Sequence, residues 1–312
     1  MFVLSFLVLS SWALVLASAD QITVTRLKPK VEFDLSAKPL DGNYIASAIF
    51  TDSETHVSNF GQLYVTTGAA YTDNDQGYAA GFAEGYLSAE RIFQYQYNMQ
   101  CQVDCSGKEP DDVAVFFQAQ DAWIRSQISL YSATDDMWAY IDFLMNQFDG
   151  VMAGYASSDY GKANPLETWS FTLINAVGDL FDIIPALDRT QRPAFDKMTA
   201  KQIREYLLVN GHCSALVKLA DDMSDIYVGH SSWFTYSAML RIYKTYNFNL
   251  NNKSNKGVTT SFSSYPGVLS SLDDFYMMGE SKLMMIQTTN NIINETLWDL
   301  IVPESLLGTL IC

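Results

Sequence analysis

A cysteine and two histidines lie within eighteen residues of one another in the second half of the chain. Cys213 directly follows His212, and His230 comes seventeen residues later. If the bond between His212 and Cys213 is cleaved, Cys213 gains a free α-amino group with an ordinary pKa of about 7.7–8.0. That amine lies in the range of a general base, so one residue then supplies both a nucleophilic thiol and its base. The residues alone leave three interpretations of Cys213: a nucleophile, a buried structural thiol or half of a disulfide.

Several common catalytic and binding motifs do not occur in the sequence. It has no G-x-S-x-G, no H-E-x-x-H, no paired C-x-x-C, no Walker loop and no Rossmann glycine fingerprint. We therefore expect neither a cofactor nor a metal ion. The formal net charge of −16 repels phosphate backbones, so we do not expect nucleic-acid binding.

The first nineteen residues have the composition of a targeting segment. They carry no charged side chain and end in Ala17-Ser18-Ala19, a small-residue cleavage site. We interpret residues 1–19 as a secretory signal peptide; the alternative is a signal anchor. This predicts a secreted or lysosomal protein, and the acidic composition suits an acidic compartment.

A secretory route changes how the remaining cysteines and asparagines are interpreted. Cys101 and Cys105 are close enough in the chain to form a disulfide in an oxidising compartment; the alternative is two free thiols. Asn252 and Asn294 each begin an N-x-S/T sequon and are predicted glycosylation sites.

Hydrophobic periodicity predicts an α+β fold with a helix-rich part at residues 20–212 and a sheet part at 213–312. Short strands are predicted within 40–72. Helices are predicted from Gln76 onward and over 111–131, 135–148, 167–181 and 196–208, with an exposed linker at 185–195. Gly81 and Gly85 lie on one helix face and permit a close backbone approach. Cys213 begins a predicted hairpin whose second strand ends at His230, and three strand candidates follow.

Five blocks carry a resemblance to a known family. They are YAAGFAEGYLSAERI at 78–92, LINAVGDLFDI at 173–183, NGHCSALVKL at 210–219, DIYVGHSSWFTYSAMLRIYKTYNF at 225–248 and QTTNNIINETLW at 287–298. In this order they resemble the phospholipase B-like family, which belongs to the N-terminal nucleophile hydrolase superfamily. The resemblance implies autocatalytic cleavage between His212 and Cys213 and the αββα sandwich of that superfamily.

By position, the resemblance also assigns site residues. Cys213 is the implied nucleophile and His230 the implied active-site histidine. Trp233 is implied as part of the site wall, and either Thr288 or Thr289 as a pocket hydroxyl. The structural alternatives are a strand cap for His230, core packing for Trp233 and sheet positions for the threonines. The implied substrate is a phospholipid or a related N-acyl amide, with peripheral contact to membrane lipid.

The chain departs from the family pattern at its end. Family members continue past the position of Cys312 and supply an asparagine of the oxyanion hole, an arginine and further strands, so we expect 213–312 to be an incomplete sheet domain. The alternative functions are a non-catalytic luminal glycoprotein that binds lipid or protein, or an inactive truncated fragment. The sequence predicts no oligomeric state.

Overall fold

The structure is a computed structural model of the chain, and most of the predicted signal peptide lies outside the residues that it describes. Those residues are 19–35, 44–52, 60–103, 111–209, 211, 213–232, 234–252, 254, 259–288 and 292–305. They form helices and a mixed sheet, which confirms the predicted α+β class.

The strands are numbered in chain order. They are β1 (Ala19–Arg26), β2 (Glu32–Asp34), β3 (Ala46–Thr51), β4 (Gly61–Thr67), β5 (Cys213–Leu219), β6 (Ile226–Ser232), β7 (Ile242–Asn247), β8 (Thr259–Ser264), β9 (Phe275–Met278) and β10 (Leu283–Ile286).

The α-helices occupy most of the chain between the fourth and fifth strands. They are α1 (Asp73–Leu87), α2 (Ala89–Val103), α3 (Asp111–Tyr131), α4 (Asp136–Ser157), α5 (Asp159–Ala163), α6 (Thr168–Ala176), α7 (Leu180–Leu187) and α8 (Ala200–Val209). Short 3-10 turns cover Arg189–Gln191, Phe195–Lys197, Tyr236–Ala238 and Glu295–Leu300.

Eight strands form one sheet in the order β10-β9-β8-β7-β4-β3-β1-β2. All neighbours are antiparallel except β4 and β7, which are parallel. Side chains alternate along β4: Leu63 and Val65 are buried, whereas Tyr64 between them is exposed. The buried face packs against α1, where Phe82 belongs to the same apolar cluster.

Helix α4 packs on the other side of α1 at very short range. A Cβ atom added to Gly81 would lie 2.0 Å from the carbonyl oxygen of Gln147, and one added to Gly154 would lie 2.0 Å from that of Phe82. No side chain fits at these distances, so the two backbones touch. This confirms the close approach expected from the glycines of α1.

A charged pair is buried where α1 meets β7. Lys244 Nζ donates to Glu84 Oε1 at 2.6 Å and to the Val268 carbonyl at 2.5 Å, and Tyr246 donates its hydroxyl to the same carboxylate. Lys244 and Glu84 are both fully buried. Burial lowers the pKa of Lys244, and the Glu84 carboxylate opposes that shift.

Strands β5 and β6 form a separate two-stranded sheet that is largely exposed. Cys213 pairs with Ser232, and Ala215 with His230. The predicted hairpin is confirmed, although β6 runs two residues beyond its predicted end. Leu216 and Val217 point to opposite faces of β5 and are 62% and 64% exposed, so apolar side chains on both faces of the hairpin are largely uncovered among the described residues.

Two predictions for the region before the hairpin are wrong in detail. The single helix expected over 167–181 is split into α6 and α7. The expected linker is partly folded, since α7 continues through Pro185 to Leu187. Arg192 then fixes the chain by donating to the Pro185 carbonyl at 2.7 Å and pairing with Asp299 at 2.8 Å.

Among the described residues, no single helix has the length and apolarity needed to cross a membrane. Helices α6 and α7 together meet that test, but they are bent by 105° relative to one another.

Candidate active site

Cys213 is the first residue of β5 and its thiol is half-buried. Directly paired residues of an antiparallel sheet point to the same face, as do alternate residues of one strand. Since Ala215 pairs with His230, the side chains of Cys213 and His230 lie on one face of the hairpin, in a diagonal relationship. This face carries the half-buried residues of β6, including Val228 and Ser232.

The thiol of Cys213 contacts a carboxylate from the large sheet. Its Sγ donates to Oδ2 of Asp274 at 3.5 Å. Asp274 immediately precedes β9 and has φ = 58°, in the left-handed region that aspartate tolerates better than most residues. This turn, rather than a strand position, directs the carboxylate toward the hairpin.

The ring of His230 is held by a backbone group that follows β10. Its Nε2 lies 3.0 Å from the carbonyl oxygen of Gln287. A carbonyl oxygen only accepts, so Nε2 must carry the hydrogen in this contact. In the uncharged form of the ring the lone pair is then on Nδ1, which is the nitrogen that could bind a cation.

A backbone hydrogen bond connects Asp274, which contacts Cys213, to Gln287, which contacts His230. The N–H of Gln287 donates to the Asp274 carbonyl at 2.9 Å. The start of β9 and the end of β10 therefore hold both the carboxylate and the imidazole. The sulfur of Cys213, one ring nitrogen of His230 and one carboxylate oxygen of Asp274 lie within 4.8 Å of one another.

Burial raises the pKa of Asp274 above the ordinary value for aspartate, because a carboxylate loses hydration in this half-buried position. The hydrogen bond from Cys213 and the charge of His230 oppose the shift, while the neighbouring Asp273 adds to it. The thiol of Cys213 thus lies beside a carboxylate that holds its proton more tightly than a free aspartate does.

Asp273 ties this turn to the protein core. Its Oδ1 accepts a hydrogen bond from the Tyr265 hydroxyl at 2.9 Å and pairs with Arg241 at 3.1 Å. The Tyr265 ring stacks on Tyr95 of α2 with centroids 5.0 Å apart. Asp274 is therefore attached to a buried cluster rather than to a free loop.

Ser232 places a buried hydroxyl next to Cys213. It pairs directly with Cys213 and shares its face. Its Oγ is buried and makes no hydrogen bond to another described residue. A buried unpaired hydroxyl is unfavourable in a core, but it is available to a ligand or a water molecule.

An apolar groove with a volume of about 680 Å³ lies close to Cys213 and Ser232. It reaches the segment that precedes Cys213 and the segment that follows Ser232. Gly211 and Phe234 line it on the hairpin side; Met99, Leu180, Phe181 and Ile184 line it on the helical side. The rings of Phe181 and Phe234 meet edge-to-face at 6.2 Å. The size and apolar walls are typical of a pocket for a small hydrophobic ligand.

Other predicted site residues are only partly described. Thr288 is exposed and follows Gln287, the residue that bonds His230. Residues 212, 233 and 289, which are His212, Trp233 and Thr289, lie outside the described residues. Their predicted roles stay predictions, as does the choice between the two threonines.

The predicted modification sites have different surroundings. Asn294 is exposed at the start of a 3-10 turn, where its Oδ1 accepts from the Thr296 N–H at 3.1 Å. Asn252 is half-buried, and its Nδ2 donates to Asp136 at 3.2 Å. Cys101 lies near the end of α2, but Cys105 is outside the described residues, so the predicted disulfide stays a prediction.

The sequence analysis did not identify three residues of this site, which are Asp274, Gln287 and Ser232. Asp274 is 61 residues from Cys213, and no recognised spacing links them. Gln287 acts through its backbone, so its side-chain type gave no signal. Ser232 was detectable only through the strand register, because the predicted strand ended before it.

Comparison with known proteins places the chain among related sequences. A sequence profile of the family described as Phospholipase B matches residues 46–310. Phospholipase B-like 1 of Bos taurus is 40% identical over 233 residues, which are 74% of this chain and 41% of that protein. Phospholipase B of Crotalus adamanteus is 40% identical over 232 residues, 74% of this chain and 42% of the relative. Phospholipase B-like protein B of Dictyostelium discoideum is 34% identical over 269 residues, 86% of this chain and 46% of the relative. The chain thus spans less than half the length of these relatives.

Proposed function

Because this chain belongs to the phospholipase B family, we propose that it is a hydrolase that removes acyl groups from phospholipids or related N-acyl amides, with Cys213 as the nucleophile. The observation that carries the proposal is the position of Cys213, which begins β5 and has its side chain on the same face of the hairpin as the imidazole of His230. The adjacent apolar groove supports an acyl substrate.

Cleavage between His212 and Cys213 would generate the active form. It would divide the mature chain into an N-terminal part of 193 residues (20–212) and a part of 100 residues (213–312). Before cleavage the nitrogen of Cys213 is an amide and cannot serve as a base. After cleavage it is an amine with an ordinary pKa near neutrality, and it sits on the same residue as the sulfur.

In the proposed reaction, Cys213 Sγ attacks the acyl carbonyl while its proton moves to the α-amine. The carbon–oxygen or carbon–nitrogen bond of the substrate then breaks, and the leaving alcohol or amine takes that proton. Water hydrolyses the resulting thioester and regenerates the thiol. His230, fixed by its hydrogen bond to Gln287, would orient the nucleophile or the substrate.

The groove provides a place for the acyl chain. Leu180 and Ile184 of α7 line the groove, and it reaches Gly211, close to the predicted cleavage position. Each methylene group that leaves water there contributes about 0.8 kcal/mol to binding. This preference for long chains would distinguish lipid substrates from short esters.

We also propose a secretory route to the cell exterior or the lysosome. The support is the apolar first nineteen residues with their A-x-A site. Exposure of Asn294 is compatible with glycosylation on that route.

The test is acyl transfer by the purified chain on a long-chain phospholipid and a matched N-acyl amide. The wild type should show a burst of released product and a covalent acyl adduct on Cys213 by mass spectrometry. Cys213→Ala should lose both, whereas Cys312→Ala, which removes a different cysteine, should keep them. Equal activity of the Cys213→Ala variant would refute the nucleophile assignment.

A non-catalytic lipid-binding protein is the second candidate, and the groove favours it independently of the thiol. In that case wild type and Cys213→Ala would bind a fluorescent fatty acid equally, and neither would release product. An acyl adduct on the wild type would exclude this candidate.

A further inference from the structure

Three side chains that can bind metal converge at the base of the hairpin. Cys213 offers a sulfur, His230 a ring nitrogen and Asp274 a carboxylate oxygen, and these atoms lie within 4.8 Å of one another. We propose that Cys213, His230 and Asp274 form a zinc-binding site that reversibly masks the thiol. Zinc binding requires no hydrolysis, so this inference goes beyond the proposed function and can fail or hold separately from it.

The types of ligand select the class of metal. A thiolate and an imidazole favour zinc and similar borderline-soft cations, whereas calcium and magnesium prefer oxygen ligands alone. Zinc is commonly held by combinations of cysteine, histidine and carboxylate side chains. The mixed set at this site therefore indicates a zinc-like ion.

The observed spacing is close to what tetrahedral coordination needs. With zinc–sulfur and zinc–oxygen bonds of about 2.3 and about 2.1 Å, the sulfur and oxygen atoms must be about 3.6 Å apart. Cys213 Sγ and Asp274 Oδ2 are 3.5 Å apart. An ion could thus replace the thiol hydrogen without a large movement of either side chain.

The histidine already has the support that metal-bound histidines usually have. Such a histidine almost always donates its other ring N–H to a carboxylate, a backbone carbonyl or water. His230 donates through Nε2 to the Gln287 carbonyl at 3.0 Å, which directs its lone pair to Nδ1. The hydrogen bond therefore leaves Nδ1 as the nitrogen through which His230 would bind the ion.

Three protein ligands leave one tetrahedral position for water or substrate. Ser232 shares the face of Cys213, and its buried Oγ has no hydrogen-bond partner among the described residues. A metal-bound water would provide that hydroxyl with a partner. The proposal therefore gives a role to a group that is otherwise unpaired.

Zinc would alter the chemistry of the thiol. On binding, Cys213 releases its proton to solvent and the sulfur becomes a metal-bound thiolate. Its lone pair is then engaged, so it can attack neither a substrate carbonyl nor an alkylating reagent until the ion leaves. The sequence predicted no metal because its ligands follow no known spacing: Asp274 is 61 residues from Cys213.

The experiment uses the full chain, stripped with a chelator and titrated with cobalt chloride as the probe. Wild type should bind one equivalent and show thiolate-to-cobalt charge-transfer absorption, which zinc chloride should then abolish by displacement. Cys213→Ala should lose this absorption. Absorption that survives unchanged in Cys213→Ala would overturn the proposal, as would a wild type that shows none.

Two further variants test the other ligands. Changing a residue that only hydrogen-bonds to a metal ligand typically weakens metal binding about 10- to 100-fold. Asp274→Asn and His230→Gln remove ligands themselves, so each should weaken binding by at least that much. Glutamine can still donate to the Gln287 carbonyl, so His230→Gln should keep the hairpin in place. Asp221→Asn, in the exposed turn of the same hairpin, removes the same charge and should bind as wild type does. If Asp274→Asn and His230→Gln bind the metal as tightly as the Asp221→Asn control, His230 and Asp274 are not ligands and the proposed site is refuted.

A protection assay provides a readout that does not depend on spectroscopy. Zinc chloride should slow alkylation of Cys213 by iodoacetamide, and a chelator should restore the rate. Undiminished alkylation at saturating zinc would contradict the masking role.

Discussion

Cys213 Sγ lies 3.5 Å from Asp274 Oδ2, although the two residues are 61 positions apart; Cys213 begins β5 of the hairpin, whereas Asp274 immediately precedes β9 of the large sheet. The contact places a carboxylate beside the only cysteine whose side chain is described. Since Gln287 bonds both Asp274 and His230 through its backbone, the same piece of the large sheet determines the position of all three side chains.

The reactivity of Cys213 should increase when the neighbouring charge is removed. An ionised Asp274 opposes formation of a thiolate 3.5 Å away. We expect Asp274→Asn to be alkylated by iodoacetamide about tenfold faster near neutral pH, which corresponds to about 1.4 kcal/mol of relieved repulsion. The control is Asp221→Asn, which should react at the wild-type rate. A slower reaction in Asp274→Asn would show that the carboxylate assists the thiol instead.

The stability of the protein should depend on pH through Asp274. Burial raises its pKa in the folded state, so the folded protein binds a proton more tightly than the unfolded chain does. The resulting stabilisation is fully present below the ordinary aspartate pKa of about 3.9 and is lost as pH rises through the higher folded value.

Denaturant unfolding at about pH 4 and about pH 7 tests this sign. Relative to Asp274→Asn, wild type should be more stable at the lower pH, with a larger free energy of unfolding, because asparagine cannot titrate. An unchanged difference between the two conditions would show that Asp274 titrates normally.

Cleavage of the chain should depend on the sulfur of Cys213. Expression through a secretory pathway should yield fragments with N-termini near Asp20 and at Cys213, detected by Edman degradation or mass analysis. Cys213→Ala should remain intact because it has no nucleophile to attack the preceding carbonyl. Finding only the intact 20–312 form of wild type would mean that this chain is not activated in the proposed way.

A charge in the apolar groove should affect long-chain substrates selectively. Phe181 lines the groove and is 56% exposed, so Phe181→Asp should fold. We expect KM for a long-chain ester to rise about tenfold, equivalent to losing contact with about two methylene groups. An acetyl ester should be unaffected.

The matched control for the groove lies on the same helix. Leu187 is 41% exposed and is not among the residues that line the groove. Leu187→Asp should therefore leave KM for both esters unchanged. Equal effects of the two substitutions would indicate a general disturbance of α7 rather than contact with the acyl chain.

The buried pair of Glu84 and Lys244 should matter for stability. Lys244→Met would leave the Glu84 carboxylate buried, with the Tyr246 hydroxyl as its remaining partner from this cluster. We expect this change to lower the free energy of unfolding by about 3–5 kcal/mol. Replacing the whole cluster, with Glu84→Leu, Lys244→Met and Tyr246→Phe, should cost much less, because no buried charge remains. Urea unfolding measures the stability of both variants. If Lys244→Met is as stable as wild type, the buried pair does not contribute to stability in this way.

The sequence predicted those elements whose pattern is local. The hairpin at β5 and β6 followed from two short apolar runs around a polar turn, and the helices from apolar spacing. The glycines of α1 correctly indicated a close helix contact, since only a missing Cβ permits it. Strand β7 was missed because Lys244 occupies a buried position, which breaks the apolar alternation that identifies a strand. Its partner Glu84 lies 160 residues away, so only the folded chain explains it.

The same division applies to the site. By itself the sequence determined the family, because several blocks of residues occur in the family's order, and that resemblance predicted Cys213 as the nucleophile and the bond before it as the cleavage position. Only the tertiary structure decided which groups surround the thiol. Asp274 reaches Cys213 through a left-handed turn before β9, and Gln287 holds His230 through a backbone carbonyl. Neither contact is encoded in a local pattern, since each depends on how the large sheet packs against the hairpin.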